Sequence, residues 1–264
     1  MAKKGDIGRV WDYVVNTQVW RSIMRHGYPD TPRNRSLAIM ANVFFHLHPI
    51  RLRKSGLRVR YTWCMGGLTF FLFLVETITG LLLMFYYRPT AEYAYHDIVY
   101  LRADVALGTM REIHRWGAHA MVITIWLHMM RVFLTGAYKP PREFNWGVGV
   151  VLLLLTLLLS FTGYLLPWDQ LAMWAITVGT NMARATPLLG HEGPGAALIK
   201  VGDITVVHSA SDVRFGLLAS RFVGAPAILR FYVLHCVGFP LIAAFLIAVH
   251  FWRVRKDGGI SGPL

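Results

Sequence analysis

The sequence predicts an all-α membrane protein: four transmembrane helices packed as a four-helix bundle, preceded by an amphipathic helix on the membrane surface. Three observations predict it. The 264-residue chain is 55% hydrophobic and 16% charged, with a mean hydropathy of +0.44, too apolar for an ordinary water-soluble domain. Four apolar segments, at 63–87, 112–136, 147–166 and 228–252, are long enough to cross about 30 Å of hydrocarbon. Two of these segments carry histidines at intervals close to four helical turns.

The N-terminal part comes first in the chain. The opening MAKKGDIGRV lacks the apolar core and small-residue cleavage site of a secretory leader, so the first apolar segment is expected to stay as a span. In residues 10–24, Val10, Trp11, Val14, Val15, Val19, Ile23 and Met24 recur at near-helical spacing, flanked by Arg9, Arg21 and Arg25. This pattern reads as an amphipathic helix on the inner membrane surface or at a subunit contact. Residues 28–60 read as a connecting segment, with a metal site at His46 and His48 as the minor alternative. The chain therefore divides into an inner-surface segment, 1–62, and a four-helix domain, 63–264.

Orientation follows from charge. Twelve of the 27 Lys and Arg residues precede residue 61, which accounts for much of the net charge of +13 as a cytoplasmic flank rather than a nucleic-acid surface. The second-to-third loop adds Lys139 and Arg142, and the C-terminus adds Arg253, Arg255 and Lys256. The opposite loops mix acids with bases, so both termini are expected inside.

Within the spans, Glu76 is an acid among apolar neighbours, either protonated or paired inside the bundle. A structural hydrogen bond and a part in proton movement both remain open for it. In the long third-to-fourth connection, Trp168 to Ala183 reads as a short surface helix, 191–212 as exposed loop and 213–223 as a second short amphipathic helix. The two cysteines, Cys64 and Cys236, cannot make a disulfide framework. From the residues alone both read as buried thiols.

The histidines carry the chemistry. His114 and His128 are fourteen residues apart in the second span, and His235 and His250 fifteen apart in the fourth. Four turns of α-helix take about 14.4 residues, so each pair lies near one helix face. With four spans and both termini inside, His114 and His235 fall near the outer face, His128 and His250 near the inner one. Two facing pairs of imidazoles suit two b-type haems, each with one axial ligand from each helix. Gly66 and Gly80 in the first span, and Gly149 and Gly163 in the third, are also fourteen apart. Missing side chains at these depths would let a flat macrocycle approach the backbone, although small residues also serve ordinary helix packing. Arg115 and Arg131 beside the histidines suit anionic haem propionates, or anchor the span ends.

These residues leave alternatives. The histidines could be structural or part of a proton relay. A dihaem membrane anchor of a dehydrogenase or hydrogenase would show the same pairs. A haem-free transporter or assembly scaffold would not need matched histidines with paired glycines.

The chain resembles cytochrome b6 of cytochrome b6f complexes and the short cytochrome b of related bacterial quinol–cytochrome c reductases. The resemblance covers most of 61–264. It is carried by CMGG at 64–67, FYYRPT at 85–90, HRW at 114–116, HMMRVFLTGAYKPPRE at 128–143, TGYLLPWDQ at 162–170, RFY at 230–232 and ISGPL at 260–264. The fifteen-residue interval and the end after four spans are of the b6 type; mitochondrial cytochrome b uses fourteen.

The resemblance implies an outer, low-potential haem on His114 and His235, and an inner, high-potential haem on His128 and His250. It implies that Pro167, Trp168, Asp169 and Gln170 lie near the quinol-oxidation site. It implies a third haem, of c type, held by one thioether bond to Cys64 at the inner quinone site, with Arg255 nearby. The implied partners are a separate three-helix subunit carrying the PEWY motif, a Rieske iron–sulfur protein and a cytochrome c-type subunit, in a complex that is itself a homodimer. Quinol would be oxidised outside, with one electron leaving through the Rieske protein to cytochrome c or plastocyanin. The other would return across the membrane to quinone, and the chain alone would not complete the reaction. Departures from the family pattern are a longer N-terminal part, extra residues at 191–212 and an added glycine in KDGGI. The first two could contact subunits that the photosynthetic complex lacks, so a bacterial menaquinol–cytochrome c reductase is at least as good a reading as a photosynthetic subunit.

Overall fold

The computed structural model describes residues 6–23, 31–40, 54 and 58–260. His46, His48 and residues 261–264 lie outside the described residues, as does most of the connecting segment. The described N-terminal part folds as α1 (Asp6–Asn16), α2 (Gln18–Ile23), α3 (Pro32–Met40) and α4 (Val59–Thr62). The expected single surface helix is thus broken at Thr17, whose hydroxyl accepts from the Trp20 amide at 3.2 Å and starts α2 afresh.

Next come α5 (Met65–Met84), α6 (Ala94–Ala103), α7 (Val105–Leu134), α8 (Glu143–Leu165) and α9 (Gln170–Ala183). A two-stranded antiparallel hairpin follows, β1 (Lys200–Val201) with β2 (Ile204–Thr205), and then α10 (Val213–Leu218). The last span runs as α11 (Ala225–Val233), a π-helical segment Leu234–Gly238, and α12 (Phe239–Lys256). Among the described residues four helices are long and apolar enough to cross a membrane: Met65–Met84, Ala106–Leu134, Glu143–Leu165 and Ala225–Lys256. Large apolar side chains such as Phe71, Ile78, Leu241 and Phe245 are exposed on them, as a lipid-facing surface requires. Backbone polar groups in the spans are satisfied along the helices themselves, the condition for crossing hydrocarbon.

The π segment has a local cause. Pro240 has no N–H, and its ring clashes with the carbonyl of Cys236 four residues back. The helix widens there by one residue, so that the Phe239 amide bonds to the Leu234 carbonyl.

The chain forms two compact units, each built from a stretch of all four spans. The first comprises Met1–Phe70, Val122–Leu155 and Ile242–Leu264. Here Arg253, fully buried on α12, donates to the carbonyls of Ser22 (2.6 Å) and Ile23 (3.2 Å) at the end of α2. It also pairs with Asp257 at 3.2 Å and stacks over Phe144. A cation at the carbonyl end of a helix is favourable, and Gln18 adds a 2.9 Å bond to Glu143 at the start of α8. Gly258 and Gly259, φ +91° and +82°, let the chain turn after α12, with the Gly259 amide bonded to the Val254 carbonyl at 2.8 Å. The added glycine of KDGGI thus takes part in a helix stop.

The second unit comprises Phe71–Met121 and Thr156–Leu241. Its core joins Leu165, Ile176, Leu218, Ala227 and Phe231, with a second cluster of Tyr87, Ala94 and Ile228. Asp169 caps α9 through the Ala172 amide and Asp212 caps α10 through the Phe215 amide, both at 2.8 Å. Buried Asp97 of α6 accepts from the Arg88 amide (2.8 Å), Nε (3.1 Å) and Nη2 (2.6 Å). The Arg88 guanidinium holds the Asp97 carboxyl below the usual carboxylate range.

Candidate metal centres

Each unit holds one facing pair of histidines. In the second unit, His114 on α7 and His235 on the π segment have ring centroids 6.2 Å apart at 82° between planes. In the first unit, His128 on α7 and His250 on α12 are 6.4 Å apart at 77°. Two imidazoles bound on opposite sides of one iron, with metal–nitrogen bonds of about 2.0 Å, put their centroids about 6 Å apart. Both pairs meet that spacing. Among the described residues no group of three or more His, Cys, Asp or Glu could hold a metal ion; each unit presents one pair of imidazoles.

Hydrogen bonds assign the ring nitrogens in the second unit. Nδ1 of His235 lies 3.1 Å from the Leu159 carbonyl, which only accepts, and 3.2 Å from Thr162 Oγ1. Thr162 donates its own hydrogen to the Leu158 carbonyl, so Nδ1 must be the protonated nitrogen. His114 repeats the arrangement. Its Nδ1 lies 2.9 Å from Thr79 Oγ1, whose hydrogen goes to the Val75 carbonyl at 2.7 Å. With the proton on Nδ1, Nε2 keeps its lone pair for a metal. In the first unit Nδ1 of His250 is buried without a hydrogen bond of normal geometry, although the Asn145 backbone faces it.

The four glycines each sit against one of the four rings. A Cβ at Gly66 would lie 3.2 Å from Cε1 of His128, at Gly80 3.1 Å from that of His114, at Gly149 3.8 Å from that of His250, and at Gly163 2.6 Å from that of His235. The glycines of α5 thus back the histidines of α7, and those of α8 back the histidines of the fourth span. In the sequence these glycines read as room for a flat macrocycle or as ordinary helix packing; the atoms nearest to each added Cβ are those of an imidazole.

The arginines separate. Arg115 is half exposed and bound to Glu112 at 3.0 Å. Arg111, three residues before His114, is more enclosed, also binds Glu112 (2.8 Å) and lies within electrostatic reach of Asp169. Arg111 carries no motif in the sequence, though its i−3 spacing puts it on the helix face of His114. Arg131 stacks over Tyr61 and donates from Nε to the Tyr61 carbonyl at 3.3 Å, while its Nη2 is buried without a partner. That orphaned donor suits an anionic group. Arg255 lies half-buried in the last turn of α12.

Cys64 is exposed, not a buried thiol, and both it and Trp63 take left-handed backbone, φ +52° and +49°. Such φ values are uncommon outside glycine, and here they turn the chain sharply into α5. Trp168 is also left-handed, φ +52°, and packs against both apolar clusters of its unit. Asp169 is occupied in capping α9, and Gln170 is exposed. Tyr87 donates to the Leu166 carbonyl at 2.6 Å, fixing the turn before Pro167.

Comparison with known proteins fits this geometry. Residues 52–194 match the family described as cytochrome b/b6/petB. The chain is 35% identical over 263 residues to the menaquinol:cytochrome c reductase cytochrome b subunit of Bacillus subtilis (strain 168), covering 98% of this chain and all of that one. It is 34% identical over the same span to the protein so described from Geobacillus thermodenitrificans, with the same coverage. Its fold is similar to a chain of a hyperthermophilic respiratory Complex III, with a TM-score of 0.64 and 24% identity, covering 89% of this chain and 55% of that one.

Proposed function

The chain belongs to the cytochrome b/b6 family, and from that premise we propose that it is the b-type haem subunit of a menaquinol–cytochrome c reductase. The observation that carries this reading is the pair of facing imidazole couples, 6.2 and 6.4 Å apart, in a chain with four apolar spans. When bound, each haem accepts and passes on single electrons.

His114 with His235, and His128 with His250, hold the two irons through Nε2. Thr79, Thr162 and the Leu159 carbonyl fix the tautomer of the first couple. Gly66, Gly80, Gly149 and Gly163 leave room for the imidazoles against neighbouring helices. Arg131, with its unpartnered Nη2, and Arg111 or Arg115 hold propionates. Burial among apolar spans keeps water from the couples and so strengthens each of these interactions.

Trp168, Asp169 and Gln170 form the turn at which quinol is oxidised: Asp169 anchors α9, Trp168 shapes the apolar wall and exposed Gln170 faces outward. Cys64 attaches a c-type haem by one thioether bond. Its exposure at a sharp turn, three residues after the Tyr61 on which Arg131 stacks, supports that reading. Arg255 lies at the same end of the first unit's spans and serves the second quinone site. The basic N-terminal segment and the Arg253–Lys256 run support cytoplasmic placement of both termini. The working complex adds a three-helix subunit with the PEWY motif, a Rieske iron–sulfur protein and a cytochrome c-type subunit, and is a homodimer.

The test is menaquinol-dependent reduction of cytochrome c by the purified intact complex. We expect turnover that His114→Ala and His250→Ala each abolish. Full turnover in both variants would reject the assignment.

A further inference from the structure

Glu76 is a carboxyl in the middle of the apolar helix α5, and the haem ligation described above does not require one. Its Oε2 lies 3.1 Å from Nδ1 of His114, and its Oε1 is buried without a hydrogen-bond partner. The side chain is 14% exposed. An acid held at this depth is costly unless it serves a purpose.

The opposing helix is shaped for it. A Cβ at Gly117 would stand 2.1 Å from Glu76 Oε1, inside van der Waals contact. Alanine at 117 cannot coexist with Glu76 in its present rotamer. Gly117 lies three residues after His114, on the same face of α7. Three groups therefore converge on one imidazole: Thr79 and Glu76 from α5 accept at Nδ1, and Gly117 vacates the place of the carboxyl.

We propose that Glu76 is the positioning residue of the His114 ligand, seated by the absence of a side chain at Gly117. Thr79 already donates its hydrogen elsewhere, so it can only accept from Nδ1–H. Glu76 adds a second acceptor on the same N–H. An acceptor on Nδ1 orients the ring and raises the basicity of Nε2, which favours the oxidised metal. Of the described contacts, a carboxyl meets the imidazole of this couple alone; His128, His235 and His250 have none, so the effect is confined to one haem.

The inference rests on His114 being a haem ligand, and the experiment separates the two. The intact complex is purified with wild-type sequence, Glu76→Ala, Glu76→Gln, Gly117→Ala and the double variant Glu76→Ala/Gly117→Ala. Redox titration followed by optical spectra reports each b-type haem separately. Wild type shows two b-type components; their absence would sink the ligand assignment and this inference together.

With both present, Glu76→Ala and Gly117→Ala each raise the midpoint potential of the His114/His235 haem, or loosen it about 10-fold or more, and leave the His128/His250 haem unchanged. Glu76→Gln retains an oxygen acceptor and restores haem content with a smaller shift. The double variant is no worse than either single one, because both act through one contact. Unchanged potentials and haem content in Glu76→Ala would overturn the inference while the ligand assignment stands. So would equal losses of both haems with no rescue by Glu76→Gln, which marks a merely structural role. Should Gly117→Ala fail to assemble, the Glu76 pair of variants decides alone.

Discussion

Fifteen residues separate His235 from His250, against fourteen between His114 and His128, and the π segment Leu234–Gly238 absorbs the extra one. In helical register the two intervals are therefore equal. Both histidines of the fourth span consequently face α8, each against its own glycine. The odd interval is a consequence of Pro240 rather than a looser fit.

Register can be tested directly. Inserting one alanine after Gly238 turns His235 by about 100° against His250. Optical spectra of the purified complex should then lose the His114/His235 component and keep the other. Deleting Val237, which lies between the two histidines in the π segment, together with Pro240→Ala restores a continuous α-helix at a fourteen-residue interval, and both components should survive.

The glycines should differ in tolerance. Gly163→Ala places a methyl 2.6 Å from the His235 ring, whereas Gly149→Ala meets His250 at 3.8 Å, ordinary contact. Haem quantification should show the second unit's b-type haem depleted in Gly163→Ala, with full occupancy in Gly149→Ala. Equal occupancy in the two variants would contradict the packing described.

Asp169 has a structural task, and the proposed function adds a chemical one. Its carboxylate caps α9 through the Ala172 amide, so Asp169→Ala should destabilise the complex by about 1 kcal/mol in thermal unfolding. Asparagine also caps well. Asp169→Asn should keep stability, and any loss of quinol oxidation it shows is then chemical.

Asp97 gives a pH signature. Its folded pKa is lowered by the Arg88 guanidinium, so the pair stabilises the fold fully above the unfolded value of about 3.9 and loses that contribution as pH falls through the lower, folded value. The difference in unfolding temperature between wild type and Asp97→Asn should be constant at neutral pH and shrink below about pH 4. A difference that grows on acidification would contradict the ion pair.

Cys64 has a simple readout. Haem staining after denaturing electrophoresis should give a band at the mass of this chain that Cys64→Ala removes. A stained band that persists in the variant would reject the thioether.

Much of this was legible in the sequence because lipid imposes length and hydropathy on every span. The first span was read at 63–87 and forms at Met65–Met84; the third was read at 147–166 and forms at Glu143–Leu165. The histidine and glycine intervals were visible because helical period converts spacing into a shared face. Other features depend on partners far along the chain. The helix Ala94–Ala103 has little amphipathic pattern and was not foreseen; Arg88 holds it through Asp97. The exposed loop at 191–212 contains a short hairpin turned by Gly202, φ +62°, too brief for any periodic signal. The acceptors on Nδ1 of His114 and His235 lie on other helices, at separations of 35 and 73 residues from Thr79 and Thr162. No local pattern marks them.

The most direct test of the two-couple arrangement is the reduced-minus-oxidised spectrum of the purified complex carrying His114→Ala or His128→Ala. Wild type should show two b-type components, with each substitution removing a different one. A wild-type complex without b-type bands, or the same component lost in both variants, would contradict it.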